Sequence, residues 1–310
     1  MGAVRERAAR STTDREMAGS TTQRQRQPSH AERLASRDGY FAPESVIRRV
    51  GNTPVTPFLG GGAAVLLQMA HPLVAAGVAD HSDYRRDLWR RLGRTLRALY
   101  LITYGSRAEA DAVAAAVQAV HERVTGTTRT RLGRFPAGTR YAASDPELML
   151  WVHATLVHCS LEAYQRFQEP LTPAEQARYY EEMTLMAALF GVPEAIVPGD
   201  LDAFRRYFRE QVAGDTIAVT EPAREIAEVV LRAPLPAPVR LLAPAHRLAT
   251  AALLPSRIRD EYGLRWTALH ALVLEPAART LKLTAMPLVL AAAHLRPAFT
   301  APAAARAAAR

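Results

Sequence analysis

The sequence contains a single cysteine, Cys159, among 310 residues. One cysteine cannot form a disulfide within the chain, and it cannot supply a multi-cysteine zinc site or a four-cysteine iron–sulfur cluster. Cys159 lies in an apolar helical stretch, which favours a small core side chain over a reactive nucleophile. Disulfide-framework and thiolate-cluster proteins are therefore excluded.

Long uncharged apolar runs are also missing. No stretch reaches the roughly 18–20 apolar residues of a membrane span, and the nearest one, residues 60–79, is interrupted by Gln68 and His71. The N-terminus carries arginines with no apolar segment behind them, so no secretory signal is predicted. The apolar residues 283–295 are too few for a span, although they leave a peripheral membrane contact open. We expect a cytoplasmic protein with no integral membrane span.

Strand patterns are scarce, because period-two alternation of β-branched residues is not found. Apolar residues instead recur at helical spacing, as they do between the arginines of residues 84–104. Ser106 and Thr172 each begin a helix with a capping box, and we expect Ser144 to do the same. The sequence predicts an all-α fold, a single multi-helix domain over residues 38–297.

Local signals predict further boundaries within this domain. Asp200 is expected to begin a helix. A polar loop is expected over residues 127–143, and a helix break is expected near Pro276.

The two ends of the chain differ from this central region in composition. Residues 1–37 are rich in Arg, Ser, Thr and Gln, which predicts a disordered tail, and residues 298–310 are predicted to form a loose tail. The formal net charge of +9 would suit nucleic acid or an anionic surface. The arginines, however, alternate with apolar positions as on solvated helix faces, so no nucleic-acid partner is predicted.

Three consecutive glycines, residues 60–62, open an apolar stretch that predicts a buried helix over residues 60–80, kinked at Pro72. A glycine-rich helix start can cradle an anion at the positive end of the helix dipole. Three glycines also allow helix backbones to pack closely. The pattern leaves both interpretations open.

Histidine carries most of the information about chemistry. None of the nine histidines has an acidic residue three positions before it, which excludes the Glu-x-x-His pairs of di-iron bundles, and no His-Glu-x-x-His zinc helix occurs. Haem needs only one axial histidine in an apolar helical pocket. His153, inside the apolar run from Trp151 to Val157, meets that requirement, although its pattern alone favours a core histidine.

Four ordered blocks of sequence resemble a known family. They are GGGAAVLLQMAHP at residues 60–72, ADHSDY at 79–84, DPELMLWVHATL at 145–156 and RDEYGLRW at 259–266. Together they resemble the oxygenase family that includes latex-clearing protein (rubber oxygenase) and the fungal mycophenolate-pathway oxygenase. The resemblance implies an all-α fold, a haem b cofactor and use of O2 to cleave carbon–carbon double bonds in isoprenoid chains.

The resemblance also implies roles for individual residues. The axial ligand of the family corresponds to His153, which becomes the predicted iron ligand. A lysine that acts as a distal ligand in the latex enzymes corresponds to about the position of His121, our candidate catalytic residue. Gln118, His71 and His81 are further candidate haem-contacting residues, the last two because they belong to the matching blocks.

Two departures from the family pattern limit what the resemblance implies. Gln118 stands where the family usually has an arginine, and no carboxylate occurs near residues 102–104, where the acidic base of the latex enzymes should fall. Rubber cleavage by that route is therefore not expected. Three hypotheses stay open: a haem b-dependent oxygenase acting with O2 on a hydrophobic isoprenoid, lipid or aromatic metabolite, a haem-binding sensor or storage protein, and a haem-free all-α scaffold.

Overall fold

The computed structural model describes residues 39–53, 56–82, 84–232 and 243–280, without the side chains of residues 84–89 and 278–280. The predicted tails, residues 1–37 and 298–310, lie outside the described residues, as does most of the Pro-rich segment 233–244. Within the described residues the chain is mainly helical, which confirms the all-α prediction.

Twelve α-helices succeed one another along the described residues. A π-helical turn (Thr56–Gly60) leads into the second helix, and a 3₁₀ turn (Glu194–Ile196) lies between the seventh and eighth. The helices are α1 (Val46–Gly51), α2 (Gly61–Met69), α3 (Pro72–His81), α4 (Tyr84–Tyr104), α5 (Arg107–Arg123), α6 (Pro146–Phe167), α7 (Pro173–Leu189), α8 (Leu201–Ala213), α9 (Glu221–Arg232), α10 (Ala243–Leu253), α11 (Ser256–Glu261) and α12 (Ala268–Thr280).

Helix α6 is the centre of the core. It packs against α2, α7, α10 and α12 and against the π-helical turn, and it buries side chains along its whole length. The indole N–H of Trp151 donates to the carbonyl of Leu67 on α2 (3.0 Å), while the Trp151 ring stacks on Phe208 of α8. A side chain in the middle of α6 is therefore shielded from water by several neighbouring helices.

The glycines at the start of α2 allow helices to approach closely. A Cβ on Gly60 would lie 3.0 Å from the backbone oxygen of Cys159 on α6, and a Cβ on Gly62 would lie 2.3 Å from Thr250 Oγ1 on α10. A Cβ on Gly61 would meet nothing within 4 Å. Of the two interpretations left open by the sequence, close packing is thus the one observed for Gly60 and Gly62.

The buried stretch after these glycines is two helices and not one kinked helix. Proline lacks an N–H and cannot continue the backbone ladder, so α2 ends at Met69, α3 begins at Pro72, and the chain bends by 100° between them. Among the described residues, no single helix is long and apolar enough to cross a membrane. Only this bent pair passes such a test, and only when its two halves are taken together.

The predicted capping boxes at Ser106 and Thr172 are present, with Glu109 and Glu175 as their partners. The prediction for Ser144 is wrong. Asp145 is the N-cap of α6, and its Oδ1 accepts hydrogen bonds from the backbone N–H groups of Glu147 (2.9 Å) and Leu148 (3.4 Å). The cap is shifted by one residue because Pro146 occupies the first helical position, and the residue before it must be the cap.

Two further details depart from the sequence-based expectation. The predicted polar loop before α6 contains a small antiparallel sheet, formed by β1 (Thr125–Thr127) and β2 (Arg140–Ala142). Pro276, where a helix break was expected, lies inside α12. Both differences are local, and neither changes the all-α architecture.

Candidate functional site

His153 lies in the middle of α6, and its side chain is almost completely buried, with 5% exposed. Neither of its two ring nitrogens has a hydrogen-bond partner. Buried polar atoms in native proteins are nearly always paired, so a histidine with both nitrogens unpaired needs an explanation. A ligand that bonds to one of these nitrogens would provide it.

The protonation state of His153 suits an iron ligand. Burial lowers the pKa of His153 to about 4, and burial is the only cause, because no carboxylate is close enough to oppose it. The imidazole is therefore neutral at neutral pH, which is the form that binds a metal through a ring nitrogen. An isolated neutral histidine in an apolar core fits the requirement of haem for an axial ligand.

A metal site built from several protein side chains, as an alternative to haem, finds no support in the part of the chain that the structure describes. That part contains no group of three or more His, Cys, Asp or Glu side chains able to hold a metal ion together. His158, the other histidine of α6, instead stacks on Phe208, with ring centroids 4.0 Å apart. Cys159 is buried, and its pKa is raised by that burial, which confirms its role as a core residue.

Gln118 of α5 contacts the segment that begins at Leu189, the last residue of α7, and continues through Val192. Its side-chain nitrogen donates to the carbonyl oxygen of Leu189 (2.9 Å), and Val192 from the same segment packs with Leu150 of α6. Since Leu150 precedes His153 by three residues, it lies on the same side of α6. The segment therefore touches both Gln118 and the side of α6 that bears His153.

His121 lies one turn beyond Gln118 on α5 and is half-buried. Its Nδ1 atom is buried without a hydrogen-bond partner. Burial lowers the pKa of His121, and the positive charge of Arg91 on α4 lowers it further. The ring is therefore neutral at neutral pH and keeps one unpaired nitrogen between α4 and α5.

His71 has a structural task. Its Nδ1 accepts a hydrogen bond from the backbone N–H of Leu73 (3.3 Å), so the ring is the N-cap of α3. The ring lies 5.6 Å from that of Phe135, and burial lowers the pKa of His71 to about 4.

His81 lies at the other end of α3 and is exposed. Its Nε2 donates to the carbonyl of Thr125 in β1 (2.9 Å), and its ring meets Tyr141 of β2 edge-on. The neighbouring Asp80 accepts a hydrogen bond from the Tyr141 hydroxyl (2.7 Å). These contacts attach the small sheet to α3, and the structure shows no contact between His81 and His153.

The region where the latex enzymes have an acidic base is built differently here. Ile102 and Thr103 are buried, and the Tyr104 hydroxyl donates to the carbonyl of Arg48 (2.8 Å). None of the three can accept a proton as a carboxylate does. The structure thus agrees with the sequence in giving this position no catalytic base.

The block at residues 259–266 holds parts of the fold together. Glu261 accepts from the backbone N–H of Val219 (2.8 Å) and pairs with Arg257, whose guanidinium donates to backbone carbonyls of the segment before α9. The Tyr262 hydroxyl donates to Leu66 of α2 (2.7 Å). Sequence reasoning missed Arg257, because no local pattern shows that its partners lie some 40 residues away.

A cavity of about 520 Å³ lies beside the start of α9. It is lined by residues 130–133 from the loop between the strands and by residues 218–222 and Glu225. His153 is not among the lining residues. This cavity is therefore not the space for a ligand held by His153.

Comparison with known proteins bears on this site. A family model described as "ER-bound oxygenase mpaB/B'/Rubber oxygenase, catalytic domain" matches residues 48–283, a range that contains all four sequence blocks. Uncharacterized protein Rv2237 of Mycobacterium tuberculosis and Uncharacterized protein Mb2261 of Mycobacterium bovis are each 28% identical to this chain over 212 residues. The alignment covers 66% of this chain and 79% of each relative. No solved structure matches the chain.

Proposed function

This chain belongs to the family of the mpaB-type and rubber oxygenase catalytic domains, and we propose that it is a haem b-dependent oxygenase acting with O2 on a hydrophobic small molecule. An isoprenoid, a lipid or an aromatic metabolite is the substrate class. The family supports an oxygenase-type enzyme that uses O2 and a substrate. Haem b, its ligand and the hydrophobic substrate are the parts that we add.

The observation that carries the proposal is the state of His153. A buried imidazole without any partner is costly, since an unpaired buried polar group costs about 1–3 kcal/mol, and His153 has two such nitrogens. Bonding one nitrogen to haem iron would remove part of that cost. His153 is suited to bind haem iron because its ring is neutral and its neighbours Ala154 and Val157 are apolar and fully buried.

The side chains around this position have separate tasks in the proposed enzyme. His153 holds the haem, which when bound supplies the chemistry that activates O2. The apolar residues of α6 keep water from the site. His121 is the proposed distal group, because its unpaired Nδ1 can exchange a hydrogen bond with a bound ligand.

A second candidate function is a haem protein that binds without turnover. Gln118 replaces the usual arginine and uses its side-chain nitrogen on the Leu189 carbonyl, and the position of the family's acidic base carries no carboxylate. At both positions this chain therefore lacks a group that assists oxygen chemistry in the latex enzymes. They leave the proposed role of His153 unchanged.

The decisive experiment is the absorption spectrum of the full chain expressed with haem supplied. The wild-type protein is expected to show a Soret band at one haem per chain, and His153→Ala is expected to lose it. The matched control is His158→Phe, which replaces the other histidine of α6 and preserves a ring against Phe208. Added imidazole should restore the band in His153→Gly, since it can occupy the space of the missing ring.

The outcomes separate the hypotheses. A Soret band that persists unchanged in His153→Ala would contradict the assignment of the ligand. A folded wild-type protein without any band would support the haem-free scaffold instead. If haem binds through His153 but no O2 is consumed with isoprenoid, lipid or aromatic substrates, the binding protein is the better description.

A further inference from the structure

Helices α4 and α5 form a hairpin that brings Arg91 and His121 to the same level. Only Gly105 and Ser106 separate the two helices, which pack against each other and therefore run antiparallel. Arg91 lies 13 residues before the end of α4, and His121 lies 14 residues after the start of α5. With a rise of about 1.5 Å per residue, their heights along the hairpin differ by about one residue.

Both residues also lie on the helix faces that form the seam of this hairpin. The seam is lined by buried apolar side chains, namely Ala98 and Ile102 from α4 and Ala110 and Ala114 from α5. With a turn of about 100° per residue, Arg91 is within about 20° of the first two around α4. His121 is likewise within about 20° of the last two around α5. A cation and an imidazole therefore face each other across the seam.

Neither group has a partner in the part of the chain that the structure describes. The Nδ1 atom of His121 is buried without a hydrogen bond, and the guanidinium of the half-buried Arg91 makes neither a hydrogen bond nor an ion pair there. Burial lowers the pKa of Arg91, and the positive charge of Arg94 lowers it further. The charge of Arg91 in turn lowers the pKa of His121, and no described carboxylate opposes either shift. A cation that is partly removed from water without a counter-charge is costly, so the seam lacks an anion.

We propose that Arg91 and His121 bind the carboxylate of a hydrophobic ligand. The guanidinium of Arg91 can hold a carboxylate through two parallel N–H···O hydrogen bonds, and the neutral imidazole of His121 can donate one more. Because His121 is neutral, Arg91 is the charged member of this pair. A singly charged carboxylate matches it better than a phosphate, which carries about 1.5–2 negative charges.

This inference deepens the proposed function and rests on it for the identity of the ligand. With His121 as the distal group, the carboxylate belongs either to the substrate or to the haem, which carries propionate side chains. In the first case the site selects acids among hydrophobic substrates. In the second case Arg91 orients the haem. The chemistry of the bound group is the same, and separate measurements distinguish the two sources.

The experiment compares ligands that differ only in the carboxylate. Calorimetric titration of the full chain with geranate, an isoprenoid carboxylate, and with geraniol, its alcohol, tests the substrate as the source. Absorption titration of the full chain, expressed without added haem, with haem and with haem dimethyl ester tests the propionates. In at least one pair the wild-type chain should bind the acid more tightly than its neutral counterpart.

The variants assign this preference to the two residues. Arg91→Gln should lower the affinity for the preferred acid by about tenfold or more, as expected when a charge-assisted hydrogen bond is lost, and should leave the affinity for the neutral ligand within about twofold. His121→Phe should lower the affinity for the acid by a smaller factor. Arg97→Gln is the matched control, because Arg97 is an exposed arginine of the same helix, and it should bind like the wild type.

A stability measurement separates ligand binding from a structural role. Arg91→Met keeps most of the length of the side chain and removes a charge that has no partner among the described residues. The melting temperature of the ligand-free chain should therefore stay the same or rise, as is common when a residue serves function at the expense of stability. An arginine that holds the hairpin together would instead lower the melting temperature when it is replaced.

Three results would overturn the proposal. They are a wild-type chain that prefers the acid in neither pair, an Arg91→Gln variant that binds the acids as tightly as the wild type, and a clearly lower melting temperature of Arg91→Met. All three are independent of the iron ligand. A Soret band that is lost in His153→Ala would still support haem binding if the carboxylate site were refuted, and a preference for geranate is measured without haem.

Discussion

Adding one methyl group at Gly62 is expected to destabilise the protein. A Cβ on Gly62 would lie 2.3 Å from Thr250 Oγ1 and 3.0 Å from Cε1 of His246. Thr250 is completely buried, and the His246 ring is held by a hydrogen bond from its Nδ1 to the carbonyl of Phe58 (2.7 Å), so neither can easily give way. Helix α10 must then shift away from α2.

The size of this effect follows from the balance of two terms. Forcing an extra carbon into a packed core costs about 1–3 kcal/mol, while replacing glycine by alanine in a helix gains about 0.5–1 kcal/mol. Gly62→Ala should therefore lose about 1–2 kcal/mol net, which lowers the melting temperature by about 2–4 °C for a protein of this size. Thermal unfolding followed by circular dichroism measures it.

The neighbouring glycine supplies the control. Gly61→Ala meets nothing within 4 Å, so it should leave the melting temperature unchanged or raise it slightly. The double variant Gly62→Ala/Thr250→Ala removes the atom that the new methyl group meets and should recover part of the loss. If Gly61→Ala and Gly62→Ala change stability equally, the close approach of α2 to α10 is not what requires glycine at residue 62.

Two further predictions concern pH and capping. His71, His153 and His158 have pKa values lowered to about 4 by burial, from 6.5. The unfolded chain therefore binds more protons between these values, and stability should be constant above pH 6.5 and fall toward pH 4, by up to about 1.4 kcal/mol per pH unit for each histidine. Urea unfolding across this range tests it, and His158→Phe should reduce the slope; a flat profile would mean that the buried rings become protonated without cost. Asp145→Ala should lose about 1 kcal/mol as the cap of α6, whereas Ser144→Ala should have little effect in the same denaturation assay, and the reverse order would restore Ser144 as the cap.

Helix positions were the part of the fold most open to prediction. The capping boxes at Ser106 and Thr172 and the cap at Asp200 place helix starts correctly, because a cap involves only residues within one turn of each other. The errors are also local. They concern a cap shifted by one residue at Asp145, a helix that continues through Pro276, and two strands of three residues each.

For the candidate site too, the sequence indicates which residues matter, and only the structure shows what they contact. A sequence block contains His153, and the family resemblance pointed to His121 by its approximate position. The structure shows what no pattern could, namely that His153 has both nitrogens unpaired while His71 and His81 each have a protein partner. Hydrogen-bond partners depend on which helices come together. The roles of Gln118, His71 and His81 at a haem, like that of His121, stay predictions.

By itself, the sequence determined the all-α class, the positions of most helix starts and the family, since these depend on local spacing and on contiguous motifs. Only the tertiary structure decided why Gly60 and Gly62 are glycines, because the atoms they approach belong to residues about 100 and 190 positions away. It also decided that Gln118 bonds the Leu189 carbonyl and that one face of α12 stays uncovered by the described residues. Such contacts form only when distant segments pack, and a linear pattern does not record which segments will meet.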